Sequence, residues 1–520
     1  MNNKHDKILF WGCFVALITT SYAFFSRIYL CTAGPIGNDF GLNNVEVGEL
    51  VGAGIWPFGI SIILFSLFID KIGYKVAMYF SFACYIIYTI FAIMAYGAIQ
   101  GAEGAALEAA QQKGYNLLYW GSIILALGNG TVEAFINPVV ATMFKENKTK
   151  WLNILHAGWP LGLVGGGIVT ISLTGKLAST GDWRMIIGLI LVPAIVFLVM
   201  LAPLSFPKSE REQAGVGYID MLKELGAFGA LVGFGLVFGQ LAQTFAWLPT
   251  SAAWILTIIV VIAWVVLTKS FGSAIFALLI VIMMPLATTE LGTDGWISSL
   301  MSAPMAEAGY NPGWVLVYTS AIMVVLRFCA GPLVHKLSPL GLLATCSALA
   351  AIGLILLSKT ASAGIFGIFA AATVYGIGKT FFWPTMLGLA SEQSPKGGAL
   401  TLNTLGGIGM LAVGILGAPF IGALQETTAT SQLKETSPAV YEMVHTESSY
   451  YLGSYDAIDP TKAAAVVTEE GKAALAEASK AGQFGALGKM AMFPAFMFLC
   501  YMGMIIYFRS KGGYKAVEIG

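Results

Sequence analysis

Charge is what this sequence has least of. Only 11% of its 520 residues are Asp, Glu, Lys or Arg, where a soluble domain carries about 25%. With 57% apolar residues and a mean hydropathy of +0.77, a water-soluble fold would have no means of covering its surface. Basic and acidic residues balance at 28 each, and no basic tract marks a nucleic-acid partner. Histidine is nearly absent, with four residues and no HExxH, which disfavours a metalloenzyme. The six cysteines (Cys13, Cys31, Cys84, Cys329, Cys346, Cys500) are scattered without a CxxC. Each lies in or at the end of an apolar run and reads as a small packing residue rather than a metal ligand or disulfide partner. There is no G-x-x-x-x-G-K-[ST] for direct ATP drive, no haem or quinone signature and no catalytic Ser/His set. No cofactor or metal is expected, and an enzyme is not.

What the chain has instead is apolar length. A bilayer core about 30 Å thick takes roughly 20 apolar residues per helix. Fourteen such stretches can be drawn, at about 8–31, 46–69, 75–98, 116–144, 152–175, 185–205, 226–247, 252–268, 272–302, 312–334, 340–358, 364–391, 399–424 and 486–508. The expectation is an all-α polytopic membrane protein. The start is signal-like, but its apolar stretch runs on to Cys31, so it reads as an uncleaved first helix. A polar stretch from Pro207 to Leu225 follows the sixth span, and a longer one occupies about 425–485. Within the latter, Thr461–Gln483 is rich in Ala, Lys and Glu and predicts a surface helix rather than a span. If the N-terminus is cytoplasmic, sixteen Lys and Arg fall at inner ends and nine in outer loops. The positive-inside rule therefore puts both termini in the cytoplasm.

An internal repeat organises these spans. Gly130, Glu133 and Pro138 in the fourth span keep the offsets of Gly376, Lys379 and Pro384 in the twelfth. The following spans open Leu152-Asn153-Ile-Leu155 and Leu402-Asn403-Thr-Leu405, and both then become glycine-rich, a composition that lets helices approach closely. The expected organisation is a six-helix half over 1–206, a linker with two extra helices over 207–270, and a second half over 271–520 that carries the long outer loop.

After the second span the chain reads Ser66-Leu-Phe-Ile-Asp70-Lys71-Ile-Gly73-Tyr74-Lys75. This resembles the major facilitator signature G-x-L-x-D-[RK]-x-G-[RK]-[RK], with Ser66 and Tyr74 as departures. Gly331-Pro-Leu-Val-His335-Lys336-Leu-Ser-Pro339 is a degenerate copy in the second half. The resemblance implies two pseudo-symmetric halves moving a small solute by alternating access, in a single chain. It also implies a gating role for Asp70, Lys71, Gly73, Lys75 and His335. Thr289-Glu290-Leu-Gly-Thr-Asp294-Gly295-Trp296 is similar to a pattern in sugar permeases of the fucose:proton symporter type, as are the acidic fourth span and the Asn153/His156 start of the fifth. That narrower resemblance implies proton-coupled sugar uptake in a bacterial inner membrane. Export of organic anions or drugs is the alternative within transporters, and a non-transporting membrane sensor is the alternative outside them.

Away from the span ends, six charges fall inside spans: Arg27, Glu133, Glu290, Asp294, Arg327 and Lys379. Each is costly in a bilayer and is therefore a functional candidate. Glu133 is the expected proton carrier, with His156 as a relay or a helix cap; the alternative for Glu133 is a static pair with Arg27 or Lys379. Arg27 and Lys379 are candidate substrate cations, though Arg27 could instead snorkel. Glu290 and Asp294, four apart on one helix face, are expected near the outer mouth, either contacting sugar hydroxyls or simply hydrated. Arg327 is expected in an inner-gate salt bridge. Asn129, Asn137, Trp296, Tyr375 and Trp383 are candidate hydrogen-bonding and stacking residues.

Overall fold

The computed structural model describes residues 4–32, 34–42, 44–177, 182–360, 363–450 and 453–519. Among these, thirteen helices have the length and apolarity to cross a bilayer, and one further apolar helix is 16 residues long. In chain order they are α1 (Lys4–Thr32), α2 (Glu46–Ile72), α3 (Tyr74–Ile99), α4 (Ala105–Met143), α5 (Lys145–Lys176), α6 (Arg184–Leu201) and α7 (Tyr218–Thr244). Then come α8 (Thr250–Thr268), α9 (Ala274–Ser298), the short α10 (Gly313–Phe328), α11 (Ala330–Leu357), α12 (Gly364–Gln393), α13 (Pro395–Thr436) and α14 (Glu469–Ser510). Every expected span falls on one of them.

A helix that is apolar all round belongs in an interior. Residues 128–142 of α4 and 398–412 of α13 are of this kind: every residue from Gly128 to Thr142 and from Ala399 to Ala412 is buried. By contrast, α8 turns Ile255, Ile259, Ile262 and Val266 outward, as a lipid-facing helix does. The halves meet closely where α2 crosses α13. A methyl group on Gly59 would lie 3.1 Å from the Gly407 carbonyl, and one on Gly407 would lie 2.9 Å from that of Gly59. The inserted α7 packs on α13 and α9 and touches α2.

The signature turns are also repeated in the backbone. Gly73 between α2 and α3 has φ 86° and ψ 145°. Ser338, at the corresponding place in the degenerate copy, has φ 61° and ψ 163°. A serine held at positive φ, a region favoured by glycine, marks the same tight turn in both halves.

Both ends of the chain lie on one face. His5 Nε2 contacts Ser205 Oγ (3.3 Å), Lys145 donates to Gln213 (2.8 Å), and Gln393 donates to the Lys515 carbonyl (2.8 Å). We call this the terminal face and the opposite one the loop face. On the loop face the long segment departs from expectation. The Ala/Lys/Glu-rich stretch is largely exposed, as expected, but from Glu469 it is continuous with the last span, because α14 runs 42 residues from Glu469 to Ser510. It packs against the equally long α13. Strands β1 (His445–Tyr450) and β2 (Gly453–Ile458) pair antiparallel at the far end. A separate small core of Leu433, Tyr441, Val444, Val466 and Ala478 holds this projection together.

Candidate functional site

Prolines open the site. A proline has no N–H for the carbonyl four residues before it. In α12, Pro384 leaves the Thr380 carbonyl free, and the helix breaks at Thr380–Phe381. Arg327 Nε donates to that carbonyl (2.6 Å), and the freed Trp383 N–H donates to Glu290 Oε2 (3.0 Å). Arg327 Nη2 donates to Glu290 Oε1 (2.8 Å), so the ion pair is inserted into the break and completes its hydrogen bonding. Arg327 Nη1 crosses to the other half and donates to the His156 carbonyl (2.6 Å). That carbonyl precedes Pro160 by four residues and otherwise receives only the Trp159 N–H at 3.3 Å. A buried charge is tolerable only when paired and hydrogen-bonded, and Arg327, 1% exposed, meets that condition with three acceptors. Glu290 stands on a π-helical turn, Thr288–Gly292, an irregularity often found at functional sites.

Glu133, Asn137 and His156 form the second cluster. Asn137 Nδ2 donates to Glu133 Oε2 (2.7 Å). With the amide so turned, its oxygen accepts from His156 Nε2 (2.9 Å), which assigns the Nε2–H tautomer. His156 Nε2 is also 3.9 Å from Glu133 Oε2. The two clusters face one pocket of about 20 Å³, closed by Phe58, Trp159 and Trp383; that is room for about one water. The third cluster is Lys379 donating to Asp294, with the ammonium 5.4 Å from the centre of the Tyr375 ring. Tyr375 gives its hydroxyl proton to the Thr289 carbonyl.

Asp294 also reaches a larger cavity of about 500 Å³ on the loop face, lined among others by Phe24, Tyr29, Ser298 and Asn311, a size typical of small-molecule sites. Trp159 stands between this cavity and the central pocket, 5.6 Å from Phe24 and 6.3 Å from Phe58 between ring centres. At the terminal face the halves are zipped together. Asn153 donates to Thr385 (3.0 Å), Thr149 to Glu392 (2.5 Å) and Lys148 to the Ser391 carbonyl (3.3 Å).

Several expected positions are corrected. Arg27 neither snorkels nor lines a cavity. It is 1% exposed and donates to the Leu50 and Val51 carbonyls (2.9 and 3.0 Å), filling a break in α2 at residues 53–55. Glu290 lies at the central pocket instead of the outer mouth, and the salt bridge expected of Arg327 is formed there, with Glu290. Glu133 pairs with neither Arg27 nor Lys379. Asn129 accepts from the Tyr85 hydroxyl (2.9 Å), and Trp296 packs beside Gly422 of α13; neither lines the two cavities. At the signature turn, Asp70 Oδ2 accepts from Arg211 Nε and Nη2 (3.1 and 2.7 Å), so its partner comes from the linker. Lys71 sits over the Tyr218 ring at 4.5 Å, Lys75 donates to the Leu204 carbonyl (3.3 Å), and His335 is exposed. Sequence reasoning did not single out Phe58, Trp159, Tyr29 or Asn311 as lining residues, because nothing in an apolar helix marks which face looks inward.

The sequence profile of the Major Facilitator Superfamily matches residues 15–310, more than half the chain. No curated protein matches the sequence significantly. Solved structures similar to this one include the proton:xylose symporter XylE bound to 6-bromo-6-deoxy-D-glucose (TM-score 0.59, 14% identity, 95% of each chain covered). The human organic anion transporter MFSD10 is similar over 96% of this chain and 100% of its own (TM-score 0.57, 12% identity). FucP, a transporter of the same superfamily in the outward conformation, is similar over 94% and 98% (TM-score 0.51, 14% identity).

Proposed function

The chain belongs to the Major Facilitator Superfamily and is an integral membrane transporter; on that footing we propose that it couples proton movement to transport of a small, neutral, polar solute such as a sugar. The observation that carries this reading is the state of Glu133. Of the three acids deep within the spans, Glu133, Glu290 and Asp294, the last two each hold a permanent cation. Glu133 has no Lys or Arg nitrogen within 4.0 Å among the described residues; its neighbours are Asn137 and His156. A carboxyl bound to a fixed cation cannot take up a proton without stranding that cation. One without such a partner can load a proton from one side and release it to the other.

The same pairing argues for a neutral solute. Arg27, Arg327 and Lys379 are each committed to acceptors within the protein, leaving none of them for an anionic substrate. Trp159 and Trp383 line the central pocket, and once it widens their rings can stack on the apolar face of a sugar. In this reading the terminal face is cytoplasmic, the membrane is a bacterial plasma membrane, and a monomer is the working unit. Solute enters the loop-face cavity, Trp159 yields, and the zipper at the terminal face opens under the control of Asp70 and Arg211.

The test is uptake by proteoliposomes under an inward proton gradient, across neutral sugars and sugar acids. Glu133→Gln should abolish accumulation of the transported sugar while sparing counterflow. Undiminished accumulation by the variant would remove Glu133 from the mechanism, and a preference for sugar acids would overturn the neutral-solute reading.

A further inference from the structure

The zipper between the halves ends, at its deepest point, on proline. Pro138 in α4 deprives the Ala134 carbonyl of its helical donor. Asn403 Nδ2, from α13 in the opposite half, donates to that carbonyl at 2.9 Å. Beside it, Arg327 from α10 reaches the His156 carbonyl freed by Pro160 in α5. In both cases a side chain of the second half satisfies a backbone oxygen that a proline of the first half has exposed. Ala134 and Asn403 are at most 1% exposed. Ala134 lies nine residues before the end of α4 at Met143, about 14 Å up the helix from the terminal face. Burial at that depth denies the carbonyl a solvent donor while the seam is closed.

The repeat sharpens the point. Asn153 and Asn403 occupy equivalent positions, and both cross the seam. Asn153 meets the Thr385 hydroxyl, whereas Asn403 meets a proline-freed carbonyl. The carbonyl equivalent to that of Ala134 is that of Thr380, and it is held within its own half by Arg327. Only one side of the repeat thus uses its proline to tie the halves together through asparagine.

We propose that Pro138 acts by supplying the Ala134 carbonyl as an acceptor for Asn403, making Asn403 a positioning residue that holds the terminal-face side of the transport cavity shut; the His156 carbonyl, freed by Pro160, and Arg327 form a second tie of the same kind. The bond is state-dependent. Closed, the carbonyl has Asn403 and no alternative; open, water entering the cavity takes its place. This rests on the alternating-access reading but not on the identity of the solute or of the coupling ion.

The test is a pair of spin labels at Glu146 and Lys396, exposed residues of the two halves at the terminal face. They are introduced as cysteines in a Cys329→Ser background, Cys329 being the one exposed cysteine among those described. Distance distributions from the full chain in nanodiscs need neither substrate nor gradient, so failure here and failure of the proton-symport reading are separable. Asn403→Ala should lower the ratio of short to long separations roughly two- to tenfold, the worth of one such bond. In a Pro138→Ala background the restored helical N–H serves the carbonyl, and Asn403→Ala should then change the ratio little. Asn403→Leu, similar in size and without a donor, replaces the alanine variant should that fail to fold. An unchanged ratio, or an equal change in both backgrounds, would overturn the proposal.

Discussion

The Glu290–Arg327 pair makes a sharp quantitative prediction. Replacing Glu290 with glutamine leaves one oxygen where two carboxylate oxygens accept from Arg327 Nη2 and Trp383 N. The new amide NH₂ must point at one of these donors. The lost charge-assisted bond is worth about 1.5–3 kcal/mol, and Arg327 becomes a buried cation without a counter-ion, which brings the total to about 3–5 kcal/mol. Arg327→Gln should cost a similar amount, because it strands Glu290 and leaves the Thr380 and His156 carbonyls short of donors. The double variant strands no charge, so its loss should fall well below the sum of the singles, with a coupling of at least about 1 kcal/mol. Thermal unfolding of the four proteins in detergent, followed by tryptophan fluorescence, reads the difference. Additive losses would refute the claim that these two side chains are stabilised by each other within the α12 break.

Three further predictions follow from single contacts. Asp70→Asn should remove about 1.5–3 kcal/mol of closure at the terminal face by weakening the Arg211 contacts, and the Glu146/Lys396 spin-label pair should report a larger open population; an unchanged distribution would make the contact incidental. Gly54→Ala should sharply reduce folded yield, since its methyl group would occupy the space of the Arg27 guanidinium, whereas Gly48→Ala, with nothing within 4 Å, should stay within about 0.5 kcal/mol of wild type; size-exclusion profiles distinguish them. Replacing residues 446–457 by a short Gly/Ser link should leave a monodisperse, transport-competent protein, because the projection has its own core apart from that of the spans; a collapsed elution profile would show that the β-hairpin supports the spans.

The spans were legible in the sequence because bilayer thickness sets an apolar length that few other constraints produce. The repeat was legible because a glycine, a charge and a proline kept their offsets in both halves. The intramembrane charges announced a site through their cost alone. What could not be read was who pairs with whom. That depends on helix rotation, which the π-turn at Thr288–Gly292 alters within α9, and on breaks whose freed carbonyls draw in side chains from distant helices. Arg27 went astray for this reason, since nothing near it in sequence shows that α2 breaks at residues 53–55. Arg211 was missed as the partner of Asp70 because 141 residues separate them. Composition read the Thr461–Gln483 stretch only in part: Ala, Lys and Glu indicate water exposure, which is correct, but not that the helix from Glu469 continues into the last span.

That upright helix has a mechanical consequence. At 42 residues each, α13 and α14 are about 63 Å long, roughly twice the thickness of the hydrocarbon layer, so about 30 Å of paired helix stands clear of it. The same α13 carries Asn403 at the seam. A tilt of the second half by roughly 10° displaces the tip of this mast by about 5 Å relative to the membrane surface. The projection is thus a pointer, displaying outside the bilayer the angle between two halves whose contact lies buried within it.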